Sequence, residues 1–215
     1  MHILITAGPT REPLDPVRFI SNRSTGKMGF ALAKVAAEAG HVVTLIAGPV
    51  TLETPARVRR IDVETAGQML EAVQREMQAC DVFISCAAVA DWRPAVCSVT
   101  KLKKSEMPGV LQLVRNLDIL ETVRPLKGHR CFVGFAAETG NPEQEGMRKL
   151  RDKGLDWLVA NDVTEPGAGF AVDTNRVILF SSDGREERLP LLPKVEVARR
   201  ILACVQTSFT SAGMV

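Results

Sequence analysis

Short apolar runs alternate along this chain with segments of helical period, and that alternation restricts the fold to a mostly parallel α/β sheet. Runs at residues 3–6, 42–46, 82–86, 131–136 and 155–160 read as strands, with shorter ones at 58–62 and 111–114. The run at 42–46 is apolar almost throughout, as a strand covered on both faces requires. Helices are predicted over 26–39, 66–78, 119–123 and 143–153. In the first, Met28, Leu32, Val35, Ala36 and Ala39 share a face, and Gly40 supplies a stop. In the second, Met69, Leu70, Val73 and Met77 point inward. After Asn161 the pattern changes. Segments 177–180 and 187–191, joined through Ser182-Asp183-Gly184, predict a hairpin, and 195–205 a closing helix. The small, polar tail from residue 206 is expected to fray. The expectation is a Rossmann-like, doubly wound sheet with helices on both faces and a C-terminal β-hairpin appendage. It forms one domain over 1–206, with a tail at 207–215.

Composition removes several classes of function. Hydrophobic residues make up 46% and charged residues 24% of the 215, enough for a real core. A net charge of +2 gives no global field for nucleic acid, so any basic site must be local. Five scattered cysteines, odd in number, fit free thiols in a reducing cytoplasm. Three distant histidines suggest no zinc site. No long apolar stretch predicts a membrane span, and no basic region precedes the first strand as a signal peptide would require.

The segment between the first strand and first helix is unusually long. Roughly eighteen residues separate Gly8 from the helix, and such loops are usually functional. At its end, the segment Ser24 to Gly29, with Thr25 and Gly26 inside it, can form a phosphate or carboxylate cradle. It equally suits an ordinary helix cap with packing glycines. Known phosphate motifs do not fit. Gly26-Lys27 is followed by Met28 and position 21 is Ser, so this is no P-loop. The tight dinucleotide turn is missing, and Ala47-Gly48-Pro49 stands where a ribose-binding acid belongs. The chain has no tyrosine, which removes the short-chain dehydrogenase reading.

Other strand exits also carry polar groups. Residues 82–86 run into Ala87-Ala88-Val89-Ala90-Asp91-Trp92, where small residues let a planar ligand approach and Asp91 can hold a sugar hydroxyl or cap a turn. Lys101, Lys103 and Lys104 form a focused basic patch, suited to polyphosphate or to a solvated turn. Lys149 and Lys153 share a helix face. Phe135-Ala136-Ala137-Glu138-Thr139 and Asn161-Asp162 close two more strands. Polar residues recurring at several strand ends argue for one shared crevice.

In this order the motifs resemble the phosphopantothenoylcysteine synthetase family, the ligase half of a bacterial bifunctional coenzyme A enzyme. The resemblance rests on residues 5–18, Ile20-Ser21-Asn22, Gly26-Lys27-Met28-Gly29, 87–91, Lys101-x-Lys-Lys, 134–139 and 160–163, which together span about three-quarters of the chain. It implies a stand-alone ligase, or a domain excised from a chain whose decarboxylase half lies upstream. It also implies the chemistry: the carboxylate of 4'-phosphopantothenate attacks CTP, with Mg2+ on the phosphates, to give an acyl-cytidylate and pyrophosphate. The amine of cysteine then displaces CMP.

Carried over by position, the resemblance assigns Lys101 to the triphosphate and to forming the acyl-cytidylate, and Asn22 to its conversion. Arg18 belongs to a clamp over phosphopantothenate that a homodimer supplies across its interface. Ser85, Cys86, Ala87, Asp91, Phe135, Lys149 and Lys153, with the backbone of Leu117, Asp118, Ile119 and Leu120, contact the nucleotide. Gly8, Ser24, Gly26, Gly29, Ala88 and Asn161 line the phosphopantothenate site. No metal ligands are implied. The family usually has proline where Leu117 stands, which predicts modestly weaker preorganisation rather than lost binding. The stretch between Lys104 and Asn116 also looks shorter than in some members.

Overall fold

Each long apolar run becomes a strand of one sheet. In the computed structural model, which describes residues 1–105, 109–138 and 142–212, these are β1 (His2–Ala7), β2 (Val42–Ala47), β3 (Val58–Asp62), β4 (Val82–Ser85), β5 (Cys131–Glu138) and β6 (Trp157–Asp162). All six run parallel to one another. β7 (Ile178–Ser181) and β8 (Glu186–Arg188) extend the same sheet as antiparallel edge strands. The order is β8-β7-β6-β5-β4-β1-β2-β3. The C-terminal hairpin therefore lengthens the main sheet. Thr139 and the tail residues 213–215 lie outside the described residues.

Alternation along the strands divides the core between the two faces. Ile3, Ile5, Val43, Leu45, Ile84, Val133 and Val159 point to one side, under α1 (Lys27–Glu38) and α5 (Lys194–Ala212). Leu4, Ile46, Phe83, Phe132 and Leu158 point to the other. There they meet α2 (Ala66–Met77), α3 (Ile119–Val123) and α4 (Pro142–Asp152). Phe83 and Phe132 stack edge-on, with centroids 5.5 Å apart. In α2 the inward residues are Met69, Leu70, Val73 and Met77, as the period predicts. Thr65 and Gln68 close a reciprocal capping box at its start.

Three local expectations need correction. Residues 111–114 do not join the main sheet. Leu113–Arg115 pairs antiparallel with Trp92–Pro94 in a separate two-stranded ribbon whose Leu113 and Val114 are exposed. The closing helix runs on to Ala212 instead of ending at Val205. The polar residues there can stay helical: Thr207 donates its hydroxyl to the Ala203 carbonyl at 2.9 Å, and no Gly or Pro intervenes before Gly213. On α1, Ala39 is exposed while Phe30 and Ala33 are buried. The buried face is broader than one stripe because α5 covers α1 as well as the sheet.

The long segment after β1 is ordered by buried polar groups. It folds into a small ribbon, Arg11–Pro13 against Phe19–Ser21. Glu12, 1% exposed, accepts from the Ala66 amide at 2.9 Å, where the start of α2 favours a carboxylate. Beyond the sheet the exits of β1 and β4 stay paired. Ala88 donates its amide to the Gly8 carbonyl at 2.9 Å, and Pro9 bridges Ala88. Ala90 donates to the Thr10 hydroxyl at 3.0 Å.

Two glycines allow this crowding. A Cβ on Gly48 would sit 1.7 Å from the Pro9 carbonyl oxygen, and one on Gly29 would sit 2.5 Å from the Ala7 Cβ. Gly48→Ala is therefore expected to destabilise the fold by about 3 kcal/mol. Gly67, in the first turn of α2, has only the Thr65 hydroxyl at 3.8 Å, so Gly67→Ala should raise stability by about 0.5 kcal/mol. Urea unfolding midpoints check both. Equal effects at the two sites would contradict the packing argument.

Candidate active site

From β1 the chain winds outward through β2 and β3; from β4 it winds the opposite way through β5 and β6. The reversal lies between β1 and β4, where doubly wound sheets open a crevice at their C-terminal edge. Two adjoining cavities occupy this position. The first, about 410 Å³, is lined by Asn22, Ser24, Gly26, Cys86, Ala87, Ala88, Lys149 and Asn161, among others. The second, about 620 Å³, is lined by Ser85, Asn116, Leu117, Asp118, Ile119, Leu120 and Lys153, among others. Ala87, Val89, Asp91 and Phe135 face both. These four form a common wall between two compartments.

Register explains the shape. Ser85 ends β4 opposite Gly134, while β5 and β6 continue side by side to Glu138 and Asp162. The chain leaving β4 thus uncovers Phe135, which is half-buried. Asn22 donates its side-chain amide to the Ala88 carbonyl at 2.8 Å, tying the long loop to the β4 exit. Asn116 fastens the other side: its backbone amide donates to the Asp91 carbonyl at 2.8 Å and its side chain to the Ala90 carbonyl at 2.9 Å. Asn161 donates to the Ala168 carbonyl at 3.0 Å.

The cleft lysines are not bare. Lys149 reaches the Glu138 carboxylate at 2.5 Å, and Lys153 reaches Asp118 at 2.6 Å. Asp118 also accepts from the Glu121 amide at 3.0 Å as the cap of α3. Burial works to raise the Asp118 pKa, but the Lys153 ammonium and the amides outweigh it and hold the carboxyl below its usual range. Burial pushes the Cys86 thiol up to about 12, with Lys194 opposing.

Several assigned residues lie elsewhere. Gly8 and Gly29 line neither cavity. Gly29 is packed against Ala7, and the space beside Gly8 is taken by Val50 and Gly48. Ser24 and Thr25 do not cap α1 through their side chains; the cap is Gly26, at φ +79°. The Ser24 hydroxyl accepts from the Gly26 amide at 3.3 Å, and Thr25 donates to the Phe170 carbonyl at 2.8 Å. Arg18 and Lys101 line neither cavity. Arg18 pairs with Asp15 and donates to the Leu102 carbonyl at 2.9 Å, while Leu102 returns its amide to Asp15 at 3.2 Å. The segments bearing Arg18 and Lys101 are stapled together into one arm beside the cleft. At Gly48, just past the end of β2, a side chain would meet the Pro9 carbonyl, so no ribose-binding acid stands at that position.

Lys27, inside the 24–29 cradle, lines the first cavity, as do Phe170, Asn175 and Lys194, which were missed in the sequence. Lys27 and Lys194 each begin a helix, a position whose dipole disfavours a cation, and that misplaced charge was the available signal.

A doubly wound sheet with a two-compartment cleft at its switch point defines an α/β ligand-binding domain of the Rossmann-like class. Within that class the chain belongs to the DNA/pantothenate metabolism flavoprotein C-terminal domain family, which it matches over residues 1–209. It is 48% identical over 213 residues to the coenzyme A biosynthesis bifunctional protein CoaBC of Escherichia coli (strain K12), covering 97% of this chain and 52% of that protein. The CoaBC of Bacillus subtilis (strain 168) is 47% identical over 202 residues, covering 94% and 50%. The chain therefore spans about half the length of these relatives. Its fold superposes with a TM-score of 0.84 on the crystal structure of the C-terminal domain of CoaBC, at 44% identity, covering 98% of this chain and 96% of that one. No helix among the described residues is long and apolar enough to cross a membrane.

The Asp15 staple has a pH signature. The Arg18 guanidinium and the amides of Val17, Arg18 and Leu102 hold Asp15 well below the usual carboxylate range, against the opposing effect of desolvation. A depressed folded pKa gives stability that is full above the unfolded pKa and is lost as pH falls through the folded one. The melting temperature of Asp15→Asn should lie below wild type at neutral pH. That gap should begin to narrow below about pH 4 and shrink further as pH falls toward the folded value. A gap that persists at low pH would show the carboxylate is not its source.

Proposed function

We propose that this chain is a ligase of coenzyme A biosynthesis that joins 4'-phosphopantothenate to L-cysteine through an acyl-cytidylate formed from CTP. The observation that carries this reading is the common wall of Ala87, Val89, Asp91 and Phe135 between two cavities. It occurs in a domain nearly half identical to part of a bifunctional coenzyme A protein.

A carboxylate resists amine attack until its oxygen becomes a good leaving group. Activation needs the acid and the α-phosphate of the nucleotide within reach of each other, and adjoining compartments meet that need. The nucleotide takes the second cavity. Its base meets Phe135 and the backbone around Leu117, Asp118, Ile119 and Leu120. Its phosphates meet Lys153 and extend past the common wall toward Lys149 in the first cavity. The acid takes the first cavity, near Asn22, Ser24, Gly26, Ala88 and Asn161. Asn22 then orients the acyl-cytidylate for the incoming amine. Leu117 is 69% exposed, so the side chain replacing proline stays out of the packing and the binding face is backbone.

Magnesium fits this donor set as a companion of the phosphates. Among the described residues no three His, Cys, Asp or Glu side chains gather into a cage. Asp91, facing both compartments, is the carboxylate placed to share a triphosphate-bound ion, the usual pattern for Mg2+. When bound, the ion neutralises charge on the departing pyrophosphate.

Arg18 and Lys101 reach the reaction from a second copy of the chain. The arm that bears them exposes Val17, Phe19, Trp92, Val96, Val99 and Leu113. An apolar surface of this kind suits a homodimer contact that would bring each arm over its partner's cleft. Cytoplasmic residence, and a decarboxylase domain in the same or a separate chain, complete the reading.

The assay is pyrophosphate release. With 4'-phosphopantothenate, CTP and Mg2+, the protein should release about one equivalent without cysteine; the amide should appear only when cysteine is added. No release with CTP or ATP would end the assignment. Lys153→Met should raise the KM for CTP about tenfold or more, the loss of one charge-assisted contact. Arg18→Gln and Asn22→Asp should each be nearly inactive alone. Mixed under conditions that exchange subunits, they should recover roughly a quarter of wild-type activity, because half the dimers then hold one intact site. No recovery would place Arg18 in its own chain's site.

A further inference from the structure

Lys194 begins α5 and is 6% exposed, yet it lines the first cavity. Two effects work against a cation there. The start of a helix disfavours positive charge. Burial also pushes the ammonium below the ordinary lysine range, with the like charge of Lys27 adding to the effect and Asp173 opposing it. A charge so placed must find compensating partners.

Those partners come from one loop. The Lys194 ammonium donates to the carbonyls of Gly169 at 3.0 Å, Phe170 at 3.3 Å and Val172. Its three N–H groups are thereby used. Its backbone amide donates to the Asp173 carbonyl at 2.8 Å. The start of α1 holds the same loop from the other side. Thr25 donates to the Phe170 carbonyl at 2.8 Å, and Lys27 reaches the Ala171 carbonyl at 2.9 Å and the Asp173 carboxylate at 2.7 Å. Between residues 163 and 173 the chain forms neither helix nor strand, so side chains from α1 and α5 set its path. Gly169 and Phe170 are part of the wall of the first cavity and are absent from the lining of the second.

We propose that Lys194 is a positioning residue, which fixes the 169–173 loop as a wall of the first cavity and so sets the affinity for the acid substrate rather than for the nucleotide. The substrate part of this inference rests on the function proposed above. The loop part does not.

Two measurements test it. Hydrogen exchange of the amides in 168–173 should quicken about tenfold in Lys194→Met, while the strands β1, β4 and β5 keep wild-type protection. In the pyrophosphate assay, the KM for 4'-phosphopantothenate should rise about tenfold or more and the KM for CTP stay within about twofold. Lys194→Arg, which keeps the charge and some donors, should recover part of both losses. Thr25→Val removes one exposed tether and should give a smaller change of the same kind. Combined with Lys194→Met, it should add less than its effect alone, since both act on one loop. Unchanged loop exchange in Lys194→Met, or equal rises in both KM values, would overturn the proposal. If Lys194→Met does not fold, unchanged exchange in both Lys194→Arg and Thr25→Val overturns it instead. If the wild-type protein releases no pyrophosphate, the ligase reading falls, and the exchange data alone decide whether Lys194 holds the loop.

Discussion

The pairing of two strand exits governs the architecture of the cleft. Where β1 and β4 leave the sheet, chains running to opposite sides would ordinarily splay apart. Here Gly8, Pro9 and Thr10 remain bonded to Ala88 and Ala90 for several residues beyond the last ladder position. That extra pairing holds the small residues of the β4 exit in a fixed wall and commits the loop after β1 to one side of it. Glycine at positions 29 and 48 is the steric condition for it, because both neighbours are backbone or packed core rather than flexible side chains. The two compartments exist because this wall is narrow, and Asp91 can face both because it ends the paired stretch.

Charge is organised around the same wall with little left unsatisfied. Among the described residues no buried side-chain nitrogen or oxygen lacks a partner. Glu12 is held by the start of α2, Asp15 by Arg18 and three backbone amides, and Lys194 by carbonyls. Glu12 and Lys194 fasten the chain to helix starts, and Asp15 fastens two irregular segments to each other, so the loops around the cleft are positioned by polar contacts where the core is positioned by apolar ones.

The strands of the main sheet were legible because parallel strands covered on both faces must be apolar along their whole length. The long helices were legible for the corresponding reason of period. The ribbon of Trp92–Pro94 with Leu113–Arg115 was not, because an exposed two-stranded ribbon and a buried strand share the same short apolar signature. Of the cleft, the strand-end positions of Ala87, Asp91 and Asn161 suggested a shared crevice, whereas Phe135 read as core from its position and as a ligand contact only by resemblance; all four line a cavity. Lys194 could not be placed in this way, since it is distant in sequence and reaches the cavity only because α5 packs on α1. Arg18 and Lys101 were legible as motif residues, but their placement on an arm outside the cleft depends on the Asp15 staple, which no local pattern encodes.

The carboxylates that hold Lys149 and Lys153 bear on what can occupy the cleft. Each ammonium already has an anion of the protein within hydrogen-bond distance. An incoming ligand must therefore exchange one anionic partner for another, and the net Coulombic gain per contact is small. Chloride or a single inorganic phosphate offers little advantage over the carboxylate it would displace. A chain of linked phosphates can engage both ammoniums at once and meets the cost of ordering only once. The internal ion pairs thus weight any exchange at these two lysines toward a ligand carrying several linked charges.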